Sequence, residues 1–398
     1  MFDHLEMAPP DSILGLTEAF KNDPRTNKIN LGVGVYKDDN NDTPVLACVK
    51  RAEERLLREE KTKSYLAIPG SAEYGAVVRE LLFGVHHEIV QSKRAVTAQT
   101  PGGTGGLRVA ADFIHKLFPK SAIWLSEPTW DNHKAIFKAA GIEVRTYPYY
   151  DYTHRSLAFD SMVAALENTP EGDVVLLHAC CHNPSGMDPN LEQWAALAVL
   201  VRERGLLPIF DFAYQGLGDG LEEDAEGMRL FCTPGAELLV CSSFSKNFGL
   251  YNERVGALTI VGASADAADR AFSQMKICIR TNYSNPPAHG GAVITAVLRD
   301  AELRAQWVQE LTEMCQRING MRRLFVERLQ AQGVKEDFSF ITRQKGMFSF
   351  SGLTLEQVTR LRETHGIYIV GSGRINVAGI TSANIEPLCA AIASVLRG

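Results

Sequence analysis

Short apolar runs alternate with amphipathic stretches through the middle of this chain. The runs Ala122–Leu125, Val174–Leu177, Leu206–Phe210, Leu238–Cys241 and Val255–Val261 read as strands, and their alternation with helical patterns is the signature of an α/β domain with a mostly parallel sheet. Asp188-Pro189, followed by Leu191, Trp194, Leu197, Ala198 and Val201, predicts a capped helix with proline at its first position and apolar side chains along one face. Gly105–Lys116 predicts another helix, led in by Thr100-Pro101-Gly102-Gly103-Thr104. From about residue 300 the pattern changes to long charged helices such as Ala301–Gln330. Strand-like pieces follow at Gly346–Phe350 and Ile367–Val370, so a second, smaller α+β unit is expected there.

Composition narrows the class of protein. The chain has 398 residues, 45% hydrophobic and 22% charged, which suits a globular protein with two or more cores and argues against disorder. Its 41 Lys and Arg against 47 Asp and Glu leave a net charge of -6, with neither sign gathered into long runs. A nucleic-acid partner, which needs a concentrated basic face, is not expected. The longest strictly apolar run is the eight residues Trp194–Val201. A spanning helix needs about 20, so no membrane segment is expected. The opening residues Met1–Glu6 carry neither a basic region nor an apolar one, and the eight cysteines are scattered, Cys180 and Cys181 being neighbours. Reduced thiols and a cytoplasmic location are the expectation.

Four segments carry candidate chemistry. In Cys241-Ser242-Ser243-Phe244-Ser245-Lys246-Asn247, a lysine follows an apolar strand amid small hydroxyl residues, with Arg254 eight residues on. A desolvated lysine beside a cation loses proton affinity, and the hydroxyls of Ser243 and Ser245 with Arg254 suit a bound phosphate. Asp211 stands at the end of the run Leu207–Phe210, where open α/β sheets put their ligands; buried there, it would need a cationic partner such as a protonated pyridine nitrogen. His178-Ala179-Cys180-Cys181-His182-Asn183-Pro184-Ser185-Gly186 leaves another strand; strand alternation is expected to scatter its histidines and cysteines, so no metal site is assigned. Glu127-Pro128-Thr129-Trp130 brings an aromatic to a strand end, where it can stack on a flat heterocycle. Singly, each has a plain reading as a surface lysine, a capping aspartate, a turn and a core tryptophan. The glycines at 102, 103, 105 and 106 fit neither the dinucleotide nor the P-loop spacing, but a helix start can still hold phosphate.

Taken jointly and in order, Asn183-Pro184-x-Gly186, Asp211-x-x-Tyr214, Ser243-x-Ser245-Lys246 and Arg254 resemble the fold type I pyridoxal-phosphate enzymes. More narrowly, the chain resembles the aspartate and aromatic amino acid aminotransferases of class I, subgroup Iα. The likeness runs from Ile13-Leu14-Gly15-Leu16 and Asn30–Tyr36 to Ser372–Gly379, and the block Ser245–Gly256 is specific to that family. The resemblance implies a large domain with a mostly parallel central sheet flanked by helices, plus a smaller α+β domain. It divides the chain into an N-terminal arm with the first part of the small domain (1–45), a large coenzyme-binding domain (46–310) and the remainder of the small domain (311–398).

It also implies roles. Lys246 would hold pyridoxal 5'-phosphate covalently and act as general base and acid; Asp211 would pair with the ring nitrogen, supported by His133. Tyr214 and Asn183 would bond its phenolic oxygen and Trp130 would stack on the ring. Gly103, Thr104, Ser243, Ser245 and Arg254 would hold the phosphate, with Tyr65 from the neighbouring subunit. Arg374 would take the substrate α-carboxylate in a bidentate fork, beside Gly34, Trp130 and Asn183, and Arg280 would reach across a homodimer interface to the distal carboxylate. The implied reaction is a ping-pong exchange of the amino group between L-aspartate or an aromatic amino acid (tyrosine, phenylalanine) and 2-oxoglutarate. β-Elimination or decarboxylation on the same coenzyme is the alternative, with a non-catalytic coenzyme-binding protein behind it. Phe244, Ser185 and Ser12 stand where the aspartate enzymes commonly have Tyr, Thr and Pro, which bears on substrate preference and on the stiffness of the arm.

Overall fold

A computed structural model describes residues 2–7 and 14–397, the side chain of Leu14 excepted; the expectations placed on Ser12 and Ile13, and on the arm between 8 and 13, lie outside the described residues. The chain forms two compact units, Pro44–Arg317 and Met1–Thr43 with Ile318–Gly398.

The larger unit is built on a seven-stranded sheet: β1 (Ala95–Pro101), β2 (Ile123–Glu127), β3 (Val144–Pro148), β4 (Val174–His178), β5 (Leu207–Phe212), β6 (Leu238–Ser243) and β7 (Val255–Val261). Their order across the sheet is β1-β7-β6-β5-β4-β2-β3, parallel except for β7, which runs antiparallel to both neighbours. Ile209, Leu239 and Cys241 point into one apolar cluster with Leu107, Val109, Ile114, Phe137 and Met275 from helices Gly102–Leu117, Asp131–Ala139 and Ala265–Asn282. Side chains alternate along a strand, so Asp211 and Ser243, two residues beyond Ile209 and Cys241, share that covered face. Phe210 takes the other face, packing against Trp194 and Phe231.

The five expected strands all form, within two residues at either end. β1 and β3 were not anticipated: Ala95–Pro101 mixes threonine and glutamine with its apolar residues yet is buried almost throughout, because tertiary cover and not composition makes it a strand. The expected Asp188-Pro189 helix start is corrected. The helix begins at Leu191 under an Asn190–Gln193 capping box, while the Asp188 carboxylate accepts from the backbone N–H groups of Cys181 and His182. The helix expected from Gly105 already begins at Gly102.

In the other unit, Ile29–Asn30 pairs in parallel with Ile367–Tyr368, and Phe348–Phe350 pairs antiparallel with Arg374–Asn376. Helices Leu14–Asn22, Leu355–His365 and Ile385–Leu396 accompany them, the second closed by Gly366 in the left-handed conformation. The strand-like runs at 346–350 and 367–370 shorten to three and two residues.

Candidate active site

In a parallel sheet the carboxyl ends of the strands gather along one edge, and here they carry Asp211 on β5, His178 on β4, the Lys246 loop after β6 and the helix that follows β1. β7 is antiparallel, so it delivers its amino end to the same edge; that is why Arg254, one residue before it, joins residues from the ends of its neighbours.

Asp211 is buried, and its Oδ2 lies 3.0 Å from His133 Nε2. Behind it runs a chain of hydrogen bonds whose direction the backbone sets. The Asn183 N–H can only donate, so His178 Nδ1 accepts it at 3.4 Å, and His178 Nε2 carries the proton offered to Thr129 Oγ1 at 3.1 Å. Thr129 then donates to His133 Nδ1 at 2.8 Å, leaving His133 Nε2 to donate to Asp211. Burial brings His178 down to about 3, with His133 adding and Asp211 opposing, which keeps it a neutral link. Burial by itself would raise the Asp211 carboxyl. The hydrogen bond from His133 outweighs it, helped by the charge of Lys246, and holds the carboxyl below its ordinary value, so the group is an anion.

The Lys246 ammonium stands 4.7 Å from the centroid of the Tyr214 ring. Burial lowers its proton affinity; Asp211 works against that and Arg254 adds to it. Trp130 leads into helix Asp131–Ala139 and meets His133 edge to face, with ring centroids 5.2 Å apart. Asn183 and Tyr214 are buried.

A phosphate cradle lies at the start of helix Gly102–Leu117. Arg254 donates to Ser245 Oγ at 3.2 Å and to Tyr251 O at 3.3 Å. A Cβ at Gly102 would sit 2.4 Å from Arg254 Nη2, so the guanidinium lies against bare backbone at the positive end of the helix. A Cβ at Gly103 would stand 3.0 Å from that of Ser243. A helix N-terminus, one arginine and two serines make a donor set for a phosphate, and a buried carboxylate suits a protonated ring nitrogen, so these residues fit pyridoxal phosphate.

The expectation that strand alternation scatters the His178–His182 segment is corrected. β4 ends at His178 and the loop folds back, bringing the His178 and His182 rings to 4.3 Å and the Cys180 and Cys181 thiols within 4.8 Å of the Asp224 carboxylate. That carboxylate accepts from the N–H groups of Gly216, Gly218 and Asp219, and burial pushes both thiols up, so the cluster closes a loop on itself.

Of the remaining expected site residues, Tyr65 is 92% exposed, and Arg280 is exposed near the end of helix Ala265–Asn282, donating to Ser284 Oγ. In the smaller unit, Arg374 is buried and donates to Gly32 O at 2.8 Å, with Gly34 two residues on. Thr129 and His178 were not assigned any role from sequence. The signal for His178 was present in its shared register with Asp211 on adjacent strands; Thr129 precedes the helix that carries His133, and helical spacing does not mark it.

Residues 26–392 match the family model for aminotransferase class I and II. The chain is 59% identical over 396 residues to an aspartate aminotransferase of Escherichia coli (strain K12), with all of both chains covered. It is 48% identical over 394 residues to an aromatic-amino-acid aminotransferase of Pseudomonas aeruginosa, covering 99% of this chain and 98% of the relative. A crystal structure of an aromatic-amino-acid aminotransferase from Burkholderia pseudomallei, covalently bound to pyridoxal phosphate, superposes with a TM-score of 0.97 at 51% identity, covering 100% of this chain and 99% of that one. The chain belongs to the class I and II aminotransferases, and it is a transaminase.

Proposed function

We propose that this enzyme, with pyridoxal phosphate as coenzyme, exchanges the amino group between L-aspartate or an aromatic L-amino acid and 2-oxoglutarate in two successive half-reactions. The observation that carries the reading is the pairing of a desolvated lysine, Lys246, with a buried, His133-bonded carboxylate, Asp211, at one strand edge. The bound coenzyme supplies a ring that accepts the electron pair left when the substrate α-proton departs. Asp211 keeps a proton on the ring nitrogen and His133 holds Asp211 in place. Lys246, its proton affinity lowered by burial, takes the α-proton and returns it. Trp130 covers the ring, and Tyr214 and Asn183 bond its phenolic oxygen. Gly103, Thr104, Ser243, Ser245 and Arg254 anchor the phosphate.

Arg374 takes the α-carboxylate of every substrate, beside Gly34. The exposure of Tyr65 and Arg280 supports their contribution to a neighbouring copy, Tyr65 to the phosphate and Arg280 to the distal carboxylate of dicarboxylic substrates. A homodimer with shared sites follows from that reading. All eight cysteines are free and buried, which favours a cytoplasmic enzyme.

Steady-state kinetics with aspartate, tyrosine and phenylalanine, each against 2-oxoglutarate, tests the proposal. Formation of the matching oxo acid with glutamate is expected for all three, and ammonia or carbon dioxide as product would overturn it. Lys246→Ala should lower turnover by roughly 10²- to 10⁴-fold or more; a variant at full rate would remove Lys246 from its role.

A further inference from the structure

Within the smaller unit, three residues close a triangle. Phe348 pairs opposite Asn376 and Phe350 opposite Arg374, so Phe348 and Arg374 are diagonal neighbours on one face of the ladder. The guanidinium carbon of Arg374 lies 4.3 Å from the centroid of the Phe348 ring. From the same strand, Arg374 Nη2 donates to Gly32 O at 2.8 Å, and Asn376 Nδ2 donates to Val33 O at 2.7 Å and Val35 O at 2.8 Å, the carbonyls on either side of Gly34. A Cβ at Gly34 would stand 2.7 Å from Phe348 Cζ. The tip of the ring is thus pressed on the Gly34 backbone while its face supports the guanidinium. Buried Arg322 pins the ring's own strand, donating to Gly346 O, to Phe348 O at 3.5 Å and to Ser349 Oγ at 3.4 Å.

We infer that Phe348 is a positioning residue, a rigid wedge that sets the plane of the Arg374 guanidinium, and that position 34 is glycine to leave room for the tip of that ring. The inference rests on the reading that Arg374 takes the substrate α-carboxylate. A bidentate fork needs the guanidinium and the carboxylate in one plane, and a flat aromatic face selects that plane where an aliphatic side chain does not. Because every amino-acid and oxo-acid substrate carries the α-carboxylate, a tilted fork weakens all of them by the same factor.

The test is a double-mutant cycle on the coenzyme-loaded enzyme, with the coenzyme absorbance as the check on folding. Phe348→Leu should raise KM for aspartate, phenylalanine and 2-oxoglutarate by a common factor of roughly 10 to 100, the worth of one charge-assisted hydrogen bond, with kcat within about threefold. Phe348→Tyr should do no better, since its hydroxyl extends from Cζ into Gly34. Gly34→Ala should raise KM in the parent but have little effect beside Phe348→Leu, where the ring is gone. Phe348→Met replaces the leucine variant if that one loses the coenzyme. Unequal factors among substrates, an unchanged KM, or an additive Gly34→Ala would overturn the inference. Arg374→Ala separates the two readings. An unchanged KM there removes Arg374 from the carboxylate, whereas a large increase with Phe348→Leu silent removes only the wedge.

Discussion

Asp211 and His133 meet through a 3.0 Å hydrogen bond although they sit 78 residues apart, one near the end of a central strand and the other in the first turn of helix Asp131–Ala139. Removing the imidazole leaves a buried carboxylate without its donor. His133→Phe should therefore destabilise the apoprotein by about 1.5 to 3 kcal/mol, read by urea unfolding. A loss below about 1 kcal/mol would mean that Asp211 does not depend on this bond.

Two further buried histidines make stability depend on pH. His178 is brought down to about 3 and His182 well below its ordinary value, both by burial, so each is neutral when folded and takes a proton when the chain unfolds. With folded values depressed, their contribution is complete above the unfolded value of about 6.5 and is lost as pH falls toward the folded one. Two protons correspond to a slope of about 2.7 kcal/mol per pH unit below that value. Unfolding free energies at pH 6, 5.5 and 5 should follow it, and His178→Gln should roughly halve it. A flat profile for the parent enzyme would show that these rings are solvated.

Gly102 has a φ of +72° and lies under the Arg254 guanidinium. Gly102→Ala strains the backbone and pushes Nη2 aside, so coenzyme affinity should fall by roughly 10- to 100-fold, the worth of one charged hydrogen bond, with the lysine linkage still able to form. Equilibrium titration of the apoprotein measures it. An unchanged affinity would place the phosphate elsewhere.

On the proposed role of Arg280, its loss separates substrate classes. Arg280→Leu should cut kcat/KM for aspartate by roughly 10²-fold or more, as when a charged partner loses its counter-ion, and leave phenylalanine within a few-fold. Equal losses for both would reject the assignment.

Legibility followed the range of the interactions. Continuous apolar runs such as Val174–Leu177 betrayed themselves because every one of their residues is buried. The mixed run Ala95–Pro101 did not, since its threonines and glutamine are paid for by partners far along the chain, as when Thr97 bonds Thr259 across 162 residues. Asp188 looked like a helix cap because cap and loop clip use the same carboxylate; only the position of the Cys181 and His182 backbone decided between them.

The sequence by itself determined five of the seven strands of the large sheet, the candidate lysine, aspartate and arginines, and through its motifs the family. These depend on neighbours within a few residues or on residue identity alone. Which groups touch was decided only by the tertiary structure. The antiparallel entry of β7 carries Arg254 to the edge where the parallel strands end, the direction of a backbone N–H orients the histidine relay, and the tip of Phe348 accounts for the glycine at 34. The first and last of these relations join residues distant in the chain, as does the Thr129–His178 link of the relay, and contacts of that kind exist only in the folded protein.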